Sequence, residues 1–246
     1  MKRAIWPLIT ALTAAACVPA PAEQVRERAE PVGGWARPPV VEGVRRTGSA
    51  LLVSGVAEPE ARVVLRSDDG AAFAAAADSR GRFEIGVPAP SGHLLLRPET
   101  QVGQDAALSP DRLLILAAGQ GPVVVLRPGG ATRRLDAAPP LGAVDSDGRM
   151  RLASGRAAPG TALVEVESGG EAVQVAPDPQ GRWSVILSPA EGPDQIRVAG
   201  REFVWPGPAA PSRDLTVDRM EAGWRVRWTG PANARQSTWL PDRTGS

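Results

Sequence analysis

The chain repeats itself at a spacing of one hundred residues. Ser54-Gly55-x-Ala57-x-Pro59 returns as Ser154-Gly155-x-Ala157-x-Pro159, and Gly70, Asp78, Gly81-Arg82 and Phe83 return as Gly170, Asp178, Gly181-Arg182 and Trp183. Gly48 with Gly148, Leu52 with Leu152, Val64 with Val164, Ala76 with Ala176, Gly92 with Gly192 and Arg97 with Arg197 keep the same offset. The chain therefore carries two copies of one domain. The repeated positions are turn formers and apolar residues rather than reactive side chains, so the duplication constrains fold more than chemistry.

Within each copy the apolar residues come in short runs separated by glycine, proline and aspartate, the pattern of strands. Leu51-Leu52-Val53, Val63-Val64-Leu65 and Phe83-x-Ile85-x-Val87 are the runs of the first copy. In the second, Val164 and Val166 alternate with Glu165 and Glu167, and Val173 and Val175 flank Gln174, which puts one side of each strand in a core and the other in water. Ala71 to Ala77 has helical propensity, but its counterpart Glu171 to Ala176 alternates, so both are read as strands. Asp78-x-x-Gly81 and Asp178-x-x-Gly181 are tight links, with an aspartate to accept backbone donors and a glycine for positive φ. Leu113 to Ala117 and Val123 to Leu126 flank a glycine-rich turn and read as a hairpin, with Leu215 to Val217 and Trp224 to Trp228 as its displaced copy. Seven or eight strands per copy suit a sandwich of about 100 residues.

The N-terminus has a basic start at Lys2 and Arg3, an uncharged stretch from Ala4 to Ala16 and the only cysteine, Cys17, directly after Ala14-Ala15-Ala16. This is the composition of a secretory signal, and the stretch is shorter than the roughly 20 apolar residues a membrane-spanning helix needs. A lone cysteine after three alanines resembles the lipobox of bacterial lipoproteins, although Ala14 stands where that family usually has leucine. The resemblance implies lipidation of Cys17, and Val18 in place of the inner-membrane retention aspartate implies an outer-membrane address facing the periplasm. With no second cysteine there is no disulfide framework, and hydrophobic cores must stabilise the fold.

Removing Lys2 and Arg3 from the 28 basic residues leaves 26 arginines facing 27 acidic residues. Near-neutrality argues against nucleic acid as a partner. His93 is the only histidine, and a general base without a partner or a metal ligand without company carries no chemistry. No serine stands in a nucleophile elbow, and no phosphate-binding loop is present. Asp68-Asp69-Gly70 and Asp145-Ser146-Asp147-Gly148 cluster oxygens as calcium loops do, but Asp-Gly also makes hairpin turns, and both read as solvated turns. No metal or other cofactor is expected. Trp224, Val226 and Trp228 share a strand face opposite Arg225 and Arg227 and read as core; Val123 and Val125, at the places of those arginines, give the first copy an extra apolar face for a partner, for the second copy or for a strand covered on both sides. Trp205 and Trp239 match no core position and are the candidate exposed aromatics, suited to stacking on sugar rings.

Ser154-Gly155-Arg156-Ala157-Ala158-Pro159-Gly160 followed by Asp178-Pro179-Gln180-Gly181-Arg182-Trp183 resembles the bacterial immunoglobulin-like domains found in tandem in surface and periplasmic proteins, and the carboxypeptidase-regulatory-like domains share much of the pattern. The first copy departs from it with Glu60 for Gly160 and Phe83 for Trp183. The resemblance implies an all-β chain with two tandem immunoglobulin-like β-sandwiches. The expected organisation is a lipoprotein signal segment over residues 1–17, a proline-rich tether over 18–47 in which Trp35 docks on the first domain, and immunoglobulin-like domains over 48–137 and 138–246. The expected role is a lipid-anchored, non-catalytic interaction or scaffold module of the cell envelope, held to the membrane by its N-terminal lipid and contacting an envelope protein or peptidoglycan. A glycan-binding module using Trp205 and Trp239 and an envelope hydrolase are the alternatives.

Overall fold

The computed structural model describes residues 36–210 and 212–243. The first copy contains β1 (Val40–Thr47), β2 (Ala50–Val56), β3 (Arg62–Ser67), β4 (Ala72–Ala76), β5 (Arg82–Pro88), β6 (Leu94–Val102), β7 (Asp105–Leu108), β8 (Arg112–Ile115), β9 (Val123–Leu126) and β10 (Arg133–Arg134). The second contains β11 (Leu141–Ser146), β12 (Arg151–Arg156), β13 (Val164–Ser168), β14 (Glu171–Val175), β15 (Arg182–Leu187), β16 (Asp194–Val198), β17 (Arg201–Trp205), β18 (Thr216–Met220), β19 (Gly223–Thr229) and β20 (Arg235–Pro241). All the strand pairings are antiparallel.

Each copy is an immunoglobulin-like sandwich. In the first, the sheet β1-β2-β5 faces β10-β9-β8-β6-β3-β4, with β7 beside β6. Val53, Phe83, Ile85 and Val87 from one sheet meet Val63, Leu65, Leu96 and Ile115 from the other. In the second, β15-β12-β11-β20-β19-β18 faces β14-β13-β16-β17, and Ala153, Trp183 and Leu187 meet Val164, Val166, Ile196 and Phe203. The linking turns form as their residues dictate. Asp78 Oδ1 accepts from the Arg80 and Arg82 backbone N–H groups at 2.9 and 2.8 Å, and Asp178 Oδ1 does the same for Gln180 and Arg182. Gly81 and Gly181 take φ of 77° and 75° in these turns, a conformation costly for other residues.

The copies differ in which sheet they extend. β9 and β10 lengthen the sheet containing β6, whereas β18, β19 and β20 lengthen the one containing β11. The Leu215–Trp228 hairpin is therefore not the counterpart of the Leu113–Leu126 hairpin, because it joins the opposite sheet; β17 takes the place beside β16 that β7 and β8 share beside β6. The two extensions meet. Leu114, Leu116, Val124 and Leu126 pack against Ala143, Val226, Trp228 and Leu240, with Trp224 at the margin. Since Leu113, Ile115, Val123 and Val125 face the first core, β8 and β9 are buried on both sides, and the covering on the outer side is the second copy. The sheets thus stack four deep around three apolar layers, in one compact unit. Burying a large aliphatic side chain contributes about 1.5–3 kcal/mol, so this middle layer holds the copies together.

The junction between the copies is fastened by polar groups as well. Arg134 grips Asp136 through both carboxylate oxygens, at 3.0 and 3.1 Å, and donates to the carbonyl of Pro241 at 2.6 Å, while Arg243 reaches Asp136 at 3.0 Å. Asp145 is buried in the middle layer, where its carboxylate accepts from the Thr132 N–H and hydroxyl and from the Thr238 hydroxyl at 2.6–2.7 Å. Ser154 adds a bond to the Thr132 carbonyl at 3.0 Å. The Asp136 to Ser146 stretch is consequently a bonded seam.

One boundary and one register differ from the sequence reading. β1 begins at Val40, inside the stretch read as tether to residue 47, and Val41 is buried in the first core. The charges of Glu42, Arg45 and Arg46 hid it, along with a register shift between Val41 and Gly43 that breaks the alternation. Val64 and Val164 are not equivalent either: Val63 and Leu65 face the first core, but Val164 and Val166 face the second. The offset is 101 along this strand, because the preceding loop of the second copy is one residue longer.

Candidate functional site

Cys17 and Trp35 lie outside the described residues. Trp205 and Trp239 are both buried, at 2 % and 3 % exposure, in the second core. This corrects their reading as exposed aromatics, and with it the basis for sugar stacking. Trp205 is turned inward on β17 beneath the Arg151 guanidinium, which lies 4.9 Å from its ring. Trp239 lies on β20, a strand with no counterpart in the first copy, so the repeat gave no core position to compare it with.

The ionisable groups of the interior are engaged in structural bonds. Arg151 is 2 % exposed; it pairs with Asp194 at 2.6 Å and bonds the Ser168 hydroxyl and the Ser188 carbonyl. Burial pushes the Asp194 carboxyl up, but the bonds from Ser168 and Arg151 outweigh it and hold the group below its ordinary value. Asp136 is likewise pushed up by burial and brought below the usual carboxylate range by Arg134, the Val123 N–H and Arg243. For Asp145, burial wins over its three hydrogen bonds and raises the carboxyl. His93 Nδ1 accepts from the Ala117 N–H at 3.1 Å, and its ring meets Trp224 edge-on at 5.7 Å. Asp69 and Asp147 accept from backbone N–H groups of their own turns, and among the described residues no three His, Cys, Asp or Glu side chains are grouped as a metal site.

A cleft of about 450 Å³ lies at one end of the second sandwich. Pro140, Arg156 and Ala157 line one side, Leu163 and Glu165 the other, and Trp183 is part of the lining. Its origin is visible by comparison with the first copy. There, the Ala77 N–H donates to the Ala61 carbonyl at 2.8 Å, Ala61 and Val63 are buried, and the edge is closed. Pro177 stands in place of Ala77 in the second copy and has no N–H to give. With a loop one residue longer and that bond missing, strand pairing starts only at Val164, and Leu163, on the outward face that Arg62 occupies in the first copy, is 54 % exposed. Trp183 replaces Phe83 at the same place, 4 % exposed, with its indole Nε1–H buried and without an acceptor. A buried donor left unpaired costs about 1–3 kcal/mol.

No family model matches the chain, and no curated protein matches it. Among solved structures the chain is similar to one described as the central fibronectin-III array of RIM-binding protein, with 15 % identity over 87 % of this chain and 85 % of that one and a TM-score of 0.26. A TM-score of that size is no evidence of shared architecture, and the immunoglobulin-like assignment stands on this chain's own strand pairing.

The Phe83-to-Trp183 difference was visible in the sequence as a departure between copies. The cleft was not, because it depends on Pro177 removing one hydrogen bond and on a one-residue change of offset hidden by the chance alignment of Val64 with Val164.

Proposed function

We propose that the protein is a non-catalytic scaffold of the bacterial cell envelope, anchored by a lipid on Cys17 and contacting envelope proteins through its paired sandwiches. The observation that carries this reading is the middle layer: Leu114, Leu116, Val124 and Leu126 packed into one body with Val226, Trp228 and Leu240. A chain whose two domains are welded in this way presents its outer faces in a fixed relation, as a scaffold requires. The acids Asp136, Asp145 and Asp194 accept hydrogen bonds from neighbours within the fold, which favours a structural over a catalytic use of them. The anchor rests on Cys17 following Ala14-Ala15-Ala16, and the outer-membrane address on Val18.

The test is intact mass and membrane fractionation of the full chain beside Cys17→Ser in a Gram-negative host, followed by cross-linking in cells. A diacylglyceryl increment with outer-membrane recovery, both lost in the variant, and cross-links to envelope proteins are expected. A soluble, unmodified product from both chains would overturn the anchor, and an absence of cross-links from the anchored protein would overturn the scaffold.

A further inference from the structure

We infer that the free edge of β4 pairs antiparallel with β4 of a second copy of this chain, giving a two-fold dimer with one sheet continuous across it. The inference stands apart from the envelope reading and needs neither the anchor nor any other partner. β4 ends the sheet β10-β9-β8-β6-β3-β4. Its bonds to β3 set which of its main-chain groups are free. The Ser67 N–H donates to the Ala71 carbonyl and the Ala77 N–H to the Ala61 carbonyl, both at 2.8 Å. The odd-numbered residues therefore turn their main-chain groups towards β3, and Ala72, Ala74 and Ala76 turn theirs outward. These three residues are exposed, while Phe73 and Ala75 pack on the first core.

Edge strands ordinarily carry charges or proline that discourage further pairing. Among the described residues each of the other edge strands, β1, β5, β7, β10, β14, β15, β17 and β18, contains at least one charged residue, whereas β4 contains neither a charge nor a proline. What selects a second copy as the occupant is the match of β4 with itself. With Ala74 on the two-fold axis, Ala72 opposes Ala76 of the other copy and Ala74 opposes Ala74, so outward groups meet outward groups and each pair exchanges both main-chain bonds. The same register brings the Asp68–Asp69 turn before β4 of each copy to the Ser79–Arg80 turn after β4 of the other. Asp68 and Arg80 are exposed and belong to none of the ion pairs among the described residues. A parallel pairing would set aspartate against aspartate and arginine against arginine. Sliding one strand to the nearest registers that keep the bonds matched sets Asp68 against Asp78 in one direction and Ala72 against Asp78 in the other.

The test is sedimentation equilibrium of the full chain carrying Cys17→Ser, which removes the lone thiol and any lipid. A concentration-dependent rise from 25.6 kDa to twice that mass is expected. In the same background, Ala74→Lys sets two ammonium groups together on the axis and should abolish the dimer, with the thermal midpoint of the monomer close to wild type because the site is exposed. Asp68→Arg and Arg80→Asp should each weaken the dimer about tenfold, and the double variant Asp68→Arg/Arg80→Asp should restore it. Ala74→Cys should link two chains on air oxidation, since opposed residues of a bonded pair lie about 5.5 Å apart, within the reach of a disulfide; Ala72→Cys, opposite Ala76, should stay unlinked. A chain of single mass up to its solubility limit would overturn the inference. So would a dimer that persists in Ala74→Lys, equal linking of Ala72→Cys and Ala74→Cys, or growth beyond two copies, because two-fold pairing of one edge closes at the dimer.

Discussion

The duplication supplies its own reference state for the buried ion pair of the second sandwich. Arg151 and Asp194 occupy the places that Leu51 and Leu94 take in the first core. Asp194→Leu leaves the Arg151 guanidinium at 2 % exposure with only the Ser168 hydroxyl, the Ser188 carbonyl and the Trp205 ring to face, and removing one member of a buried pair costs about 3–5 kcal/mol. Arg151→Leu should cost less, about 2 kcal/mol, because the Asp194 side chain is 17 % exposed and keeps the Ser168 hydroxyl at 2.6 Å. The double variant Arg151→Leu/Asp194→Leu removes both charges and restores the apolar pair of the first copy. Such replacements are often neutral or stabilising; here the orphaned Ser168 hydroxyl offsets part of the gain, so the double should lie within about 1 kcal/mol of wild type. The coupling between the two sites would then be at least about 4 kcal/mol. Urea unfolding of the four proteins, with equal denaturant slopes, measures it. A double variant as unstable as the sum of the singles would refute both the equivalence of the positions and the view that the pair is replaceable by packing.

Further measurements address the seam and the turns. Asp145 has a raised carboxyl in the folded state, so its contribution is full below its ordinary value of 3.8 and declines as pH rises through the folded-state value. Destabilisation by Asp145→Asn should accordingly be largest at acid pH and shrink towards neutrality in urea titrations, and a penalty that grows with pH would refute the assignment. Asp136 and Asp194, held low, act oppositely, and wild-type stability should fall as pH drops below about 4; a flat acid limb in the same titrations would count against those bonds. Trp228→Ala should cost about 3–5 kcal/mol by opening a void in the middle layer, and a loss under about 1 kcal/mol would show that the layer contributes little. Gly155→Ala would put a methyl 1.9 Å from the Pro140 carbonyl oxygen and 2.8 Å from the Trp183 ring, for an expected loss of about 2–3 kcal/mol, whereas Gly86→Ala meets nothing within 4 Å and should be neutral or stabilising by about 0.5 kcal/mol; equal melting temperatures for the two would refute the packing argument.

The strands were legible wherever one face is solvated. Val164-x-Val166 and Phe83-x-Ile85-x-Val87 alternate because their other faces meet water, and Asp78 and Asp178 mark turns because their carboxylates bond backbone locally. Legibility failed where burial is two-sided or where long-range pairing decides. Leu113 to Leu116 and Val123 to Leu126 read as a hairpin, yet nothing in a run buried on both faces tells which sheet receives it. β20 went unread because Arg235 to Thr238 form an unbroken polar run, although Thr238 is buried and bonded to Asp145. The burial of Trp205 was hidden by the expectation that arginine is exposed, since Arg151 occupies a core position and Trp205 packs beneath it.

The two copies therefore diverged chiefly at their margins rather than in the strand frame they share. Adding β9 and β10 to one sheet of the first copy and β18 to β20 to the other sheet of the second created two apolar surfaces that a solitary immunoglobulin-like domain would have to leave in water. Contiguous apolar surface of that kind favours association, and covering each extension with the other removes the liability within one chain. The same divergence explains why the candidate cleft lies in the second copy. Its edge is open because Pro177 withholds the hydrogen bond that Ala77 supplies, and an opened edge in an otherwise closed stack is tolerable only where the rest of the body is held elsewhere. Asp136, Asp145 and the Trp228 layer do that holding at the seam, which leaves the start of β13 free to differ.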